Sequence, residues 1–149
     1  MTDYITESGM THSSAKMQHP DTTLIAMVGA TIGKVAYLTF DATTNQNVAS
    51  LYPLDGNILF APYLFYACTA LYDRFLDLSK NGFAMASLGF IRGLNITLPS
   101  IERQKKIVGI LDKFEKLCGD ITEGLPAEIE ARQKQYEYYR DMLLTFKEA

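Results

Sequence analysis

Apolar and polar positions change their spacing along the chain, and each spacing predicts a different element. Thr22 to Val28 (TTLIAMV), Lys34 to Thr39 (KVAYLT) and Asn47 to Tyr52 (NVASLY) are short β-type runs separated by glycine or polar clusters. They predict a strand meander. Leu64, Phe65, Cys68, Leu71, Tyr72 and Phe75 then recur at steps of three and four, the spacing of one buried helical face. That helix is expected to start at Pro62, since a first-turn proline leaves no intrahelical bond unmade. Asp55-Gly56 and Asn81-Gly82 are turn signals on either side of it. A last strand is predicted over Phe90 to Leu98, where Pro99 stops it. Residues 1–99 therefore read as an α+β domain, a small and mainly antiparallel sheet with one packed helix.

Beyond Pro99 the period changes. Ser100 is placed to cap a helix, with Glu102 in the first turn where its charge meets the positive end of the helix dipole. Gln104, Ile107, Leu111, Phe114, Cys118, Ile121 and Leu125 step by three and four in alternation, a heptad seam. Gly124 and Pro126 punctuate it. A second helix, Pro126 to about Phe146, places Ile129, Arg132, Tyr136, Tyr139, Leu143 and Phe146 on one face. Glu128 with Arg132 and Glu130 with Lys134 add i,i+4 pairs, each contributing about 0.2 to 0.5 kcal/mol. Residues 100–149 thus read as two helices of a coiled-coil, helix-pairing segment.

Composition narrows the function. Eight phenylalanines and nine tyrosines in 149 residues supply enough apolar surface to exclude a disordered chain. Residues 1–99 hold five Lys/Arg and seven Asp/Glu, whereas residues 100–149 hold nine and ten. The charge density of the second part suits a solvated helical surface. A net charge of −3 argues against binding nucleic acid by bulk electrostatics, though not against a local basic surface. The uncharged run from Gly56 to Tyr72 is 17 residues with Pro62 inside it, short for a spanning helix and better explained by a buried one. The opening MTDYITESGM has neither the basic nor the apolar region of a signal peptide. Two cysteines make no disulfide framework. A reducing, cytoplasmic setting is expected.

The candidate chemistry is sparse. Gly29-Ala-Thr-Ile-Gly-Lys34 suggests a phosphate loop, but three residues lie between the glycines where the motif needs four, and Val35 follows the lysine. A tight turn between strands, with Lys34 beside it, fits better. Thr43-Thr44-Asn45-Gln46-Asn47 offers amides of the kind that pair with adenine N6 and N7, or a polar loop that satisfies its own backbone. His12 and His19 have no carboxylate or thiol at ligand spacing, so no metal site is expected. No cofactor is implied. Single serines lack a nucleophile-elbow context. Without a catalytic constellation, the chain reads as a binding or assembly module.

Four stretches then carry a resemblance that periodicity alone does not supply. They are Gly29 to Ala36 (GATIGKVA), Ala42 to Ala49 (ATTNQNVA), Leu98 to Phe114 (LPSIERQKKIVGILDKF) and Gly124 to Arg140 (GLPAEIEARQKQYEYYR). In this order the chain resembles the specificity (S) subunit of type I restriction–modification systems. The resemblance implies a target recognition domain that reads double-stranded DNA, followed by a long helical spacer. It implies two such domains and two antiparallel spacers in a full subunit, docked by methyltransferase (M) subunits that restriction (R) subunits join. It also implies no catalysis by the S subunit itself.

This chain holds one recognition domain, and fewer than 100 residues precede Pro99 where the family typically carries more. It is expected to be a truncated or half-length S subunit. On side-chain chemistry and loop placement, Lys34, Asn45, Gln46, Lys80 and Arg92 are its candidate DNA contacts. GATIGK and TNQN serve either as reading surface or as framework. Ile107, Leu111, Phe114, Ile129, Tyr136, Tyr139, Leu143 and Phe146 form the candidate helix-pairing seam, toward a second copy or another S fragment. Pro126 to Phe146 would span about 31 Å at 1.5 Å per residue, close to the 34 Å turn of B-DNA. The competing reading is an assembly fragment that binds M or S subunits without reading DNA.

Overall fold

The computed structural model describes residues 4–13, 15–80, 85–116 and 134. The chain divides into two compact units, Met1–Val108 and Gly109–Ala149. The first is an α+β fold around a three-stranded antiparallel sheet. After a short capped helix α1 (Glu7–Thr11), its strands are β1 (Met17–Gln18), β2 (Thr23–Ala26), β3 (Val35–Tyr37), β4 (Ala42–Thr43) and β5 (Val48–Leu51). The main sheet has the order β3-β2-β5, and β1 pairs with β4 in a separate two-stranded ribbon.

This order corrects the meander expected from the sequence. A meander would place β3 between its neighbours, whereas β2 is central here. The chain leaves β3, pairs with β1 through β4, and returns along the far edge of β2. Register is set by burial. Thr23 and Ile25 are fully buried and Leu24 and Ala26 half-buried, so alternate residues of β2 face the core. Ile25 sits opposite Val35 and Ala49. A one-residue slip would turn Leu24 and Ala26 inward and expose the whole buried set.

One helix packs against the sheet, as expected, and two more add side chains to its core. α2 (Ala61–Thr69) carries Pro62 in its first turn and buries Tyr63, Leu64 and Cys68. It ends because the Thr69 hydroxyl donates to the Phe65 carbonyl at 3.0 Å and the Leu71 N–H bonds only three residues back, to Cys68. Back-bonding of this kind competes with the helical ladder. α3 (Tyr72–Lys80) resumes the apolar face and brings Phe75 to full burial, a contribution of about 1.5 to 3 kcal/mol. Burial also pushes the Cys68 thiol up to about 11, which leaves it an inert packing group.

The third helix, α4 (Leu88–Arg92), replaces the start of the strand expected over Phe90 to Leu98. The Ser87 hydroxyl accepts the Phe90 N–H at 3.1 Å, and Gly93 closes the far end. Local capping thus overrides the β character of Phe90 and Ile91. Ile91 is buried, and the Phe90 ring stands edge-on to Phe75 at 5.2 Å. Leu94 and Ile96 then pack on the core at alternate positions without a strand partner. Their period of two is real, but it belongs to an extended segment, not to a sheet.

Residues 101–116 are helical and form α5. The Ser100 hydroxyl and the Glu102 backbone N–H hold the Glu102 carboxyl below the usual range, as at a capped N-terminus. Gln104 is fully buried. Its Nε2 donates to the carbonyls of Ile58 and Pro99, each at 2.8 Å, and its Oε1 accepts the Phe60 N–H at 2.8 Å. Both amide hydrogens and the amide oxygen are therefore matched, tying the first turn of α5 to the residues before α2. Ile107 and Leu111 are half-buried, and Phe114 is exposed. Cys118, Ile129, Tyr136, Tyr139, Leu143 and Phe146, the two ion pairs expected on the second helix, and the Asn81-Gly82 turn lie outside the described residues. Lys134 is helical. No helix among the described residues is long and apolar enough to cross a membrane.

Candidate nucleic-acid interface

The GATIGK segment is the turn between β2 and β3. Gly29 and Gly33 adopt left-handed φ values of 73° and 77°, and residues 29–31 form one 3-10 turn. The Gly33 N–H donates to Ala26 and the Ala26 N–H to Lys34, at 2.8 and 2.9 Å, closing the hairpin. A Cβ on Gly33 would collide with the Phe75 Cβ and lie 2.7 Å from its Cγ. The turn is therefore pressed against α3, and the residue that leaves it, Lys34, is exposed.

The TNQN segment forms the loop between β4 and β5. Asn45 Oδ1 accepts the Asn47 N–H at 2.9 Å, and its carbonyl accepts the Val48 N–H at 3.3 Å. Such an Asx turn fixes the loop from within. Gln46 stands exposed at its tip.

Two adjoining cavities flank this loop, of about 480 and 440 Å³, and both are lined by Thr43, Thr44, Asn45 and Val48. Lys16, Gln18 and Gln46 line the first, and Lys34 the second. Neither has a carboxylate in its lining. Two nearby carboxylates, Asp21 and Asp41, are engaged elsewhere: Asp21 accepts the Tyr37 hydroxyl at 2.6 Å, and Asp41 pairs with His19 Nδ1 at 2.9 Å. Burial and the Asp21 acceptor raise the Tyr37 phenol well above its usual range. The two cavities are thus lined by ammonium, amide and hydroxyl groups.

The structure places Asn45 in both cavities, Gln46 in the first only and Lys34 in the second only. Lys80 and Arg92 line neither cavity. Lys80, in the last turn of α3, pairs with Asp77 at 2.8 Å, an exposed contact that lowers the Asp77 carboxyl and raises the Lys80 ammonium. Arg92 is exposed at the end of α4. Sequence reasoning missed Lys16 and Gln18, because a two-residue strand has no period to read. Among the described residues, no three His, Cys, Asp or Glu side chains gather as metal ligands would.

Residues 2–131 match the type I restriction modification DNA specificity domain. The chain is 40% identical over 150 residues to the specificity subunit of the type I restriction enzyme EcoR124I/EcoR124II of Escherichia coli, covering 97% of this chain and 37% of that subunit. It is 33% identical over 139 residues to the EcoprrI specificity subunit of Escherichia coli, covering 87% and 35%. Among solved structures, one described as the basis of complex assembly and conformational transition of the type I R-M system superposes with a TM-score of 0.65. That match has 27% identity and covers 82% of this chain and 30% of that one. The HsdS subunit from Thermoanaerobacter tengcongensis shares the fold with a TM-score of 0.58 at 24% identity, covering 72% and 25%. The chain spans little more than a third of the length of the curated relatives it matches. On the domain match and these relatives together, it belongs to the type I restriction–modification specificity subunit family.

Proposed function

We propose that this chain is the DNA-reading part of a type I specificity subunit, which docks methyltransferase subunits and performs no catalysis of its own. The observation that carries the reading is the pair of adjoining carboxylate-free cavities that share Asn45, with Gln46 lining one and Lys34 the other. Lysine supplies a point charge for phosphate, and amides supply the paired donor and acceptor that base edges require. The C-terminal helices would pair with a second copy or another S fragment, and restriction subunits would join through the methyltransferase. Two-fold pairing implies a split, palindromic target. Such a complex works on the genome, in the cytoplasm.

Filter binding of duplex DNA between 50 and 200 mM salt tests the DNA reading. Affinity is expected to fall steeply, since each neutralised phosphate contributes a slope of about −0.9 in log K against log salt. Lys34→Ala is expected to weaken binding uniformly across sequences and to reduce that slope by about one contact. Lost discrimination with an unchanged slope would reassign Lys34 to base reading. Flat, negligible binding at low salt would leave the assembly role as the function.

Docking is tested separately, by light scattering on a sizing column with the chain alone and mixed with its methyltransferase subunit. Co-elution is the expected result. A monomer that ignores the methyltransferase would refute docking.

A further inference from the structure

We propose that β1 supplies a second wall of the DNA cleft: Lys16 contacts phosphate, Gln46 reads a base edge between Lys16 and Lys34, and Asn45 is a positioning residue. The proposal rests on the DNA-reading function above and divides its site into roles.

Placement comes from the ribbon. Met17 lies opposite Thr43 and Gln18 opposite Ala42, which carries Lys16 to the TNQN loop although 29 positions separate it from Asn45. Lys16 and Gln46 line one cavity and Lys34 the adjoining one, with the Thr43 to Val48 segment shared between them. Two cations therefore flank one loop. Both are exposed, and among the described residues neither forms an ion pair, in contrast to Lys80. Exposed, unneutralised ammonium groups on either side of a groove are suited to successive phosphates.

The two amides differ in what they have left to offer. Reading adenine takes an amide oxygen to accept from N6 and an amide nitrogen to donate to N7. The Asn45 oxygen already holds the Asn47 N–H, and its short side chain is turned onto its own loop. Gln46 is exposed and lines the cavity beside Lys16. Among the described residues nothing hydrogen-bonds its amide, so both ends are open to a ligand. Asn45 shapes the loop, and Gln46 makes the contact.

The test uses the full chain and a pool of randomised 30-base-pair duplexes, followed by titration of the selected duplex from 50 to 200 mM salt. Lys16→Ala is expected to select the same sequence with a salt slope smaller by about 0.9. Gln46→Ala is expected to keep the slope and to lose roughly 5- to 150-fold of the preference at one base pair. Asn45→Ala should blur the same position, and Asn45→Asp, which retains the accepting oxygen, should restore it at a uniformly lower affinity. A wild-type slope for Lys16→Ala, with Lys34→Ala still losing its share, would overturn the second wall and leave the DNA reading standing. An unchanged base preference for Gln46→Ala would overturn its role. No binding by the unaltered chain would overturn both this proposal and the function beneath it.

Discussion

Gln104→Leu is expected to lower the unfolding free energy by about 3 to 5 kcal/mol, the loss of three hydrogen bonds with their partners left unmatched. The side chain is fully buried, and its amide satisfies the Phe60 N–H and the carbonyls of Ile58 and Pro99. Leucine has nearly the same volume, so the effect isolates polarity from packing. Gln104→Glu makes a sharper comparison. A carboxylate can still accept from Phe60, but its second oxygen faces the two carbonyls and repels them. Folding then raises the pKa of the introduced carboxyl above its unfolded value of about 4.3. Its proton is bound more tightly in the folded state, so the variant is most stable at low pH and loses stability as pH rises through the raised value. Urea unfolding at pH 5 and pH 7.5 should show a gap from the unaltered protein that widens at the higher pH. A gap independent of pH would mean that the amide donors do not matter.

Gly33→Ala is expected to cost about 2 to 5 kcal/mol, through a left-handed backbone penalty of about 1 to 2 and the collision with Phe75, about 1 to 3. Gly29→Ala separates the two contributions. Gly29 has a similar φ, 73° against 77°, but a Cβ there meets nothing within 4 Å. The difference between the two variants in denaturant midpoint therefore measures the contact between the turn and α3. Equal losses would show that the turn is not pressed against Phe75 in solution. DNA affinity should also fall further in Gly33→Ala than in Lys34→Ala, because the alanine moves the turn that presents the lysine.

Legibility in the sequence followed the range of the interaction that fixes each element. The β-type run Thr22 to Val28 marked β2 correctly, because its composition and its bounding glycine are local signals. The strand order was not legible, since β5 chooses β2 over β3 through pairing across more than twenty residues. Ser87 and Gly93 are cap residues visible in the chain, yet the alternating Leu94 and Ile96 made the stretch look like a strand. The 3/4 spacing from Gln104 falls on a helix at residues 101–116, but Phe114 on that spacing is exposed and Val108, off it, is buried. That a glutamine on it would be buried against three backbone groups depends on Ile58 and Phe60, more than forty positions away.

The candidate site divides in the same way. Lys34, Asn45 and Gln46 were legible one by one from side-chain chemistry and turn context. That Asn45 lines one cavity with Gln46 and the adjoining one with Lys34 was not, because the first is framed by β1 and β4, two-residue strands that leave no periodic trace. Lys80 has the same chemistry as Lys34, but it faces Asp77 on its own helix.

The Gly33 contact with Phe75 and the self-closed Asn45 loop hold main chain only; no part of either constraint runs through the Lys34 or Gln46 side chain. Replacing either side chain is therefore expected to leave the turn and the loop as they are, so that what such a variant binds can change without a change in what it folds into.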